Sequence, residues 1–233
     1  MNIQSFVRRA LLALAAGTAL CTVPPALATT VTLTPTGFAN GYELFNVSVP
    51  TILDPSAVDA GGFAGTLDTT NPIVFFCFEL TQSFGFGPSY TYDDEIETGG
   101  KYTMLSELFT EAFSTSTAST LNSVAFQLAV WEILEEPSTP DSLSPGLTQG
   151  NFYVTNDHGN TTTVAAANAL IAGLPSTGLY TIHLLDNESS QNFVYGTLPL
   201  RQEVPEPAPL MLIAAAMIAL FAMRRRVSGK RAP

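Results

Sequence analysis

Basic residues are almost missing from the middle of this chain. Of nine lysines and arginines among 233 residues, two lie in the first ten positions and five in the last ten. Only Lys101 and Arg201 fall between, against 20 acidic residues and a net charge of −11 over the whole chain. Because an acidic surface repels phosphate backbones, this composition excludes nucleic acid as a partner.

Residues that carry catalysis are also scarce. The chain has two histidines, His158 and His183, and no His-Glu-x-x-His, Gly-x-Ser-x-Gly or phosphate-loop motif. We therefore expect a surface turn at His158, a packed ring at His183, no catalytic residues, no metal and no cofactor. The protein is not predicted to be an enzyme, beyond a self-modification at most, and a secreted hydrolase is only a remote alternative.

The first 28 residues have the pattern of a secretory signal peptide. Arg8 and Arg9 precede an apolar stretch, and Ala26-Leu27-Ala28 is a small-x-small cleavage site. Of the two cysteines, Cys21 lies in this leader, so the exported chain keeps Cys77 alone. A single cysteine excludes an internal disulfide and indicates either intermolecular pairing or a special thiol.

The C-terminal segment, 204–233, begins with Pro205-Glu206-Pro207, continues with an uncharged apolar run and ends in Arg224, Arg225 and Arg226 before a short tail. The run predicts a transmembrane helix at about 208–223, slightly short of the usual span, with arginines that reach the lipid headgroups. This order resembles the PEP-CTERM sorting signal of Gram-negative bacteria. The resemblance implies an exosortase-type processing machinery as a partner. It also implies a location in the cell envelope or extracellular matrix, with at least transient anchoring by the helix.

The segment 29–203 is predicted to be one extracytoplasmic domain of the α+β class, a β-sandwich or barrel-like sheet with inserted helices. Alternating or continuous apolar patterns predict strands within 30–50 and at 73–80, 180–185 and 192–198. Helical spacing predicts helices at 102–113, 121–136 and 163–172, the last capped by Thr161 or Thr162. Residues 51–72 and 137–160 are expected to be loops.

Two groups of acidic residues are expected to be solvated. The first is predicted to be an acidic turn rather than a calcium site, and consists of Asp93, Asp94, Glu95 and Glu97. The second is predicted to face water, and consists of Glu132, Glu135 and Glu136.

Two short segments carry a second resemblance. The sequence around Gln127, Ala125–Trp131, resembles the Gln-x-Ala-x-Trp helix of bacterial thioester domains, and Phe75-Phe76-Cys77 resembles the aromatic-Cys strand of that family. The resemblance implies that Cys77 and Gln127 form an internal thioester, with Phe75, Phe76, Ala129 and Trp131 as its supporting shell. Apolar surroundings would protect such a bond, because a thioester survives only where water is kept away.

Two functions stay open at this point. In the first, an anchored surface protein captures a partner amine, on a surface polysaccharide or a protein, through the thioester. In the second, the protein is a non-covalent structural or adhesive component of the matrix, Cys77 is an ordinary buried thiol and Gln127 is an interior glutamine bonded to backbone.

Overall fold

The structure, a computed structural model, describes residues 29–50, 52–137 and 146–199. The predicted signal peptide, sorting motif and C-terminal transmembrane helix lie outside these ranges. Within them, no helix has both the length and the apolar character needed to cross a membrane.

The described residues form nine strands and three helices. The strands are β1 (Thr29–Phe38), β2 (Glu43–Val49), β3 (Ile52–Ala60), β4 (Phe63–Leu67), β5 (Asn71–Cys77), β6 (Tyr90–Glu97), β7 (Tyr153–Asn156), β8 (Thr181–Asp186) and β9 (Phe193–Thr197). The helices are α1 (Gly100–Ala112), which runs into a 3-10 turn at Phe113–Thr115, α2 (Thr120–Glu135) and α3 (Thr161–Ala172).

Six strands close into an antiparallel barrel in the order β1-β4-β5-β9-β8-β6, and β6 pairs back onto β1. A separate three-stranded sheet has the order β3-β2-β7. Helix α2 packs against α3, α1 and strand β5. The α+β prediction with a barrel-like sheet and inserted helices is confirmed, in its barrel form.

Strand β5 is covered on both faces, as its continuous apolar sequence predicts. Phe75, Phe76 and Cys77 are all buried. The Phe75 ring meets Phe193 of β9 at 4.8 Å between ring centroids, whereas Phe76 points the other way and meets Phe126 of α2 at 4.4 Å. This strand therefore joins the barrel core to the helices.

The prediction of a loop at 51–72 is wrong, because this segment contains β3 and β4. Two tight connections remain, at 61–62 and 68–70, and Asp68 and Thr69 both adopt positive φ angles. Gly65 lies inside β4, where a Cβ would come within 2.7 Å of the Thr34 carbonyl oxygen. In this segment glycine permits close approach of neighbouring strands rather than marking a loop.

The prediction of an acidic turn is also wrong, because Asp93, Asp94, Glu95 and Glu97 lie on strand β6. A strand sends successive side chains to opposite faces, so Asp93, Glu95 and Glu97 share one face of β6 and Asp94 lies on the other. The loop expected at 137–160 includes the short strand β7.

The helices occur where apolar spacing predicts them, with two differences. Helix α3 starts at Thr161 after Asn160, and no side chain caps it, so the predicted threonine cap is wrong. Glu132 is fully buried and Glu136 is 6% exposed, so the expectation that these residues face water is wrong as well. Helix α2 is apolar on nearly every side, which is typical of a helix surrounded by the core.

Candidate functional site

Cys77 lies where strand β5 loses one of its two neighbours. The pairing of β4 with β5 ends at Phe63 and Phe75, while β9 continues beside β5 and pairs with Phe76 and Cys77. The backbone N–H and C=O of Cys77 on the β4 side therefore have no strand partner. Buried backbone groups need a partner, so another element must supply it.

Gln127 of helix α2 supplies that partner. The Cys77 backbone N–H donates to Gln127 Oε1 at 2.8 Å, and Gln127 Nε2 donates to the Cys77 carbonyl oxygen at 3.0 Å. One turn earlier on the same face, Ser123 Oγ accepts from the Gly62 N–H at 2.8 Å. The carboxamide and the hydroxyl thus replace the missing strand edge.

The structure brings the two predicted crosslink residues into direct contact although they are 50 positions apart. Gln127 is fully buried and Cys77 is 8% exposed. The Cys77 N–H polarises the carboxamide carbonyl, which makes its carbon more electrophilic. Burial, and to a smaller extent the nearby Glu79 carboxylate, raises the pKa of the Cys77 thiol above its usual value, so the sulfur is held as a neutral thiol.

The residues predicted to form the supporting shell belong to the buried core. Phe75, Phe76 and Ala129 are fully buried and Trp131 is 1% exposed. Trp131 follows Gln127 by four positions, so both side chains lie on the same face of α2. Ala129, two positions after Gln127, lies on a different side of α2.

A cavity of about 400 Å³ opens beside Cys77. The loop after β5 forms one wall, β3 forms another, and Trp131 belongs to the lining together with Cys77. Two polar atoms of the lining residues are buried without a hydrogen-bond partner, Nε1 of Trp131 and Oε1 of Gln82.

Sequence reasoning missed the chemistry of Glu132. Both of its carboxyl oxygens are buried without a partner, and burial, aided by the neighbouring Glu136, raises its pKa to about 8. Glu136, in contrast, accepts from the backbone N–H groups of Asn151 and Phe152. The apolar residues on every side of α2 are the signal that indicates burial of Glu132.

The two histidines have ordinary structural partners. His158 lies in a turn with positive φ, and its Nε2 is 2.5 Å from Asn46 Oδ1. On the barrel, His183 Nδ1 is 2.9 Å from Asp94 Oδ1, and its ring stacks on Tyr195 at 4.5 Å. We call Asp94, His183, Tyr195 and Thr197 the His183 cluster; Tyr195 donates to Asp94 Oδ2, and Thr197 Oγ1 is 3.0 Å from His183 Nε2.

No group of three or more histidine, cysteine, aspartate or glutamate side chains is placed to hold a metal ion in the described ranges. Cys77 is a free thiol there.

Fold and site together define an α+β barrel domain in which a glutamine on a core helix completes the backbone hydrogen bonding of a strand-end cysteine. Beyond this domain, residues 203–226 match the PEP-CTERM protein-sorting motif. The predicted sorting residues Pro205, Glu206, Pro207, Arg224, Arg225 and Arg226 fall within the match, so that resemblance is confirmed. The motif implies export to the cell envelope and processing by exosortase. No curated protein and no solved structure matches the chain, so the comparisons give no support to the resemblance to thioester domains.

Proposed function

We propose that this exosortase-processed surface protein forms an internal thioester between Cys77 and Gln127 and uses it to bind a partner amine covalently. The observation that carries the proposal is the pair of hydrogen bonds joining the Gln127 carboxamide to Cys77, at 2.8 and 3.0 Å, in a buried position. These bonds hold the carboxamide against the backbone of the residue that carries the thiol.

Formation of the bond needs no outside reagent. Cys77 Sγ attacks Gln127 Cδ, the bond from Cδ to Nε2 breaks, and the thiol proton leaves with that nitrogen as ammonia. The Cys77 N–H already donates to Oε1, where negative charge develops during attack. The product is neutral, so burial favours it over a thiolate, which the same burial disfavours.

In the reaction with the partner amine, the Cys77 sulfur is the leaving group, whereas ammonia is the leaving group when the thioester forms. A primary amine of the partner attacks Cδ, the bond from carbon to sulfur breaks, and the Cys77 thiol is restored with an amide at Gln127. Sulfur is the better leaving group because the ordinary pKa of a thiol is about 8.5, against about 10.4 for a lysine ammonium. With Lys101 as the lysine between leader and tail, the domain offers few amines of its own.

Intact mass of the purified chain tests the bond. We expect the wild-type chain to be lighter than its sequence by one ammonia, and methylamine treatment to add one methylamine and restore a thiol. Cys77→Ala and Gln127→Glu chains should have their plain sequence masses. Gln191→Ala, which changes another buried glutamine, is the matched control and should keep the mass loss.

A wild-type chain purified without its leader, and therefore without Cys21, would refute the proposal if it had its full sequence mass and one thiol that titrates after unfolding. Unfolding is required because the Cys77 thiol is buried.

A non-covalent matrix component is the second candidate function. It is favoured by the raised pKa of the Cys77 thiol and by the backbone hydrogen bonds that Gln127 makes through both Oε1 and Nε2. In that case Cys77→Ser leaves surface attachment and partner binding unchanged, whereas thioester capture is lost in the same variant.

A further inference from the structure

The His183 cluster joins a hydroxyl, an imidazole and a carboxylate through consecutive hydrogen bonds. Thr197 Oγ1 is 3.0 Å from His183 Nε2, and His183 Nδ1 is 2.9 Å from Asp94 Oδ1. The three residues lie on different strands, β9, β8 and β6, so they meet only in the folded barrel and form no sequence motif. A hydroxyl bonded to a histidine that is itself bonded to a carboxylate is the arrangement by which proteins activate a hydroxyl as a nucleophile.

The partners of the imidazole determine the direction in which a proton can move. His183 Nδ1 faces a carboxylate, which only accepts hydrogen bonds, so Nδ1 carries the proton and Nε2 keeps a lone pair. Thr197 Oγ1 then donates to Nε2. His183 is therefore placed to take the proton of the Thr197 hydroxyl, and Asp94 to stabilise the imidazolium that results.

Tyr195 holds both members of the His183–Asp94 pair in position. Its hydroxyl donates to Asp94 Oδ2 at 2.8 Å, and its ring stacks on the His183 ring with 4.5 Å between centroids and 21° between planes. Burial, together with the hydrogen bond to Asp94, raises the pKa of the Tyr195 hydroxyl, so this group stays a donor. A base held by fixed partners needs little reorganisation when charge develops on it.

The nucleophile of this arrangement is open to solvent, and its base is partly shielded. Thr197 is exposed at the end of β9, whereas the side chains of His183 and Asp94 are each 14% exposed. Ile96, which is 54% exposed, lies directly opposite His183 in the pairing of β6 with β8, so the two side chains share a face of the sheet. An apolar group bound next to the imidazole would therefore find an apolar contact.

Charge excludes anionic substrates from this site. Asp94 belongs to the cluster, and Asp68 is close enough to contribute to the raised pKa of Tyr195. In the part of the chain that the structure describes, Lys101 is the one lysine or arginine, and it donates to the Leu134 carbonyl oxygen. A negatively charged substrate would meet carboxylates without a compensating cation.

We infer that Thr197, His183 and Asp94 form a catalytic site that hydrolyses neutral carboxylic esters with an apolar acyl group. Thr197 Oγ1 attacks the ester carbonyl carbon, and its proton passes to His183 Nε2. The bond from that carbon to the alcohol oxygen breaks, and the alcohol leaves with the proton from Nε2. Water then attacks the acyl-threonine with His183 again as the base, which releases the carboxylic acid and restores the hydroxyl.

The reaction is tested with p-nitrophenyl butyrate. The full chain, in a detergent that contains no ester, should release p-nitrophenol faster than the detergent buffer does, and peptide mass analysis after an acid quench should place the butyryl group on Thr197. The anionic p-nitrophenyl hemisuccinate should react about tenfold more slowly. Cys77→Ala should react as the wild type does, because this site requires neither the thiol nor the thioester.

Variants of the three residues separate catalysis from structure. Thr197→Val, which has nearly the same shape without the hydroxyl, should abolish acylation, and Thr197→Ser should retain it. His183→Gln and Asp94→Asn should each lower the rate by roughly a hundredfold or more, with unchanged circular dichroism.

Three further variants serve as controls and locate the acyl group. Thr36→Val removes a hydroxyl that donates to a backbone carbonyl, and His158→Gln changes the histidine bonded to Asn46, so both should keep the wild-type rate. Ile96→Ser should slow the reaction of the butyrate ester several-fold and that of the acetate ester much less. Equal effects on the two esters would contradict a contact between Ile96 and the acyl group.

Three results would overturn the inference. The first is a rate of p-nitrophenol release no higher than that of the buffer. The second is a Thr197→Val chain that releases p-nitrophenol as fast as the wild type, with the butyryl group on another residue. The third is that His183→Gln and Asp94→Asn both leave the rate unchanged, which would make the cluster a structural feature of the barrel.

Discussion

The contact between Cys77 and Gln127 and the His183 cluster use polar side chains in opposite surroundings. Gln127 and Cys77 lie in an apolar core, and each hydrogen bond there replaces a missing strand contact. The side chains of His183 and Asp94 are each 14% exposed on the barrel. Both regions are well bonded, but the Gln127 carboxamide is fully buried, whereas the His183 and Asp94 side chains keep some contact with solvent.

This difference determines what each interaction contributes to stability. A hydrogen bond lost in the core leaves the remaining partner unsatisfied, at about 1–3 kcal/mol for each orphaned group. An ion pair near the surface contributes about 0–1 kcal/mol, because water replaces the lost partner. Breaking equal numbers of contacts in the two regions should therefore have unequal effects.

The largest effect is expected for Gln127→Leu. This change replaces the carboxamide with an apolar side chain of similar size and leaves both the N–H and the C=O of Cys77 without that partner. We expect the free energy of unfolding to fall by about 2–5 kcal/mol, as measured by urea denaturation. If the thioester forms, its loss adds on the order of 4 kcal/mol by the loop-closure formula used for disulfides.

Ser123→Ala is the matched comparison for Gln127→Leu, on the same helix face and one turn earlier. It leaves a single backbone group, the Gly62 N–H, without its partner, so about half of the effect is expected. Equal losses in the two variants would show that the carboxamide does not stabilise the end of β5 in the way that its hydrogen bonds indicate.

An effect of intermediate size is expected in the pH dependence of stability, because of the buried Glu132 carboxyl group. Its pKa in the folded chain is about 8 against an ordinary 4.5, so the folded state holds a proton that the unfolded state has released. The stabilisation from this proton is complete below the unfolded pKa and is lost as pH rises through 8. We therefore expect the melting temperature to fall between pH 5 and pH 9, and the fall to be smaller in Glu132→Gln.

Glu95→Gln is the charge-matched control for Glu132→Gln, because Glu95 is an exposed carboxylate on β6. It removes the same formal charge without altering a buried carboxyl, so its pH profile should follow the wild type. Identical profiles for the wild type and Glu132→Gln would show that Glu132 is ionised in the folded protein at neutral pH.

The same two regions show how far the sequence predicts this structure. Continuous apolar runs identify β5 and α2 correctly, because burial on all sides leaves a strong local signal. Strands β3 and β4 are missed because glycine, proline and aspartate are usual in loops. The close packing of strands at Gly65 depends on tertiary contacts, which the local sequence does not indicate. The His183 cluster, which joins β6, β8 and β9, has no local signal either.

For the candidate site, the pairing of Cys77 with Gln127 was expected from family resemblance alone. Nothing in the local sequence indicates that β4 stops short of Cys77 and that a carboxamide completes its hydrogen bonding. The burial of Glu132 is different, because apolar neighbours on every side of α2 indicate it, and only the usual preference of glutamate for water argues against it.

The smallest effect is expected in the His183 cluster, for Asp94→Asn. Asparagine keeps an oxygen for the Tyr195 hydroxyl or His183, and the partly exposed site allows water to replace what is lost, so the free energy of unfolding should fall by no more than about 1 kcal/mol. That corresponds to roughly 2–4 °C in melting temperature for a domain of this size. Asp93→Asn removes the same charge from the adjacent residue, whose carboxylate accepts a long hydrogen bond from Thr30 at 3.3 Å, and should change stability less. A loss for Asp94→Asn as large as that for Gln127→Leu would mean that the barrel surface is as sensitive as the core, and the contrast between the two regions would not hold.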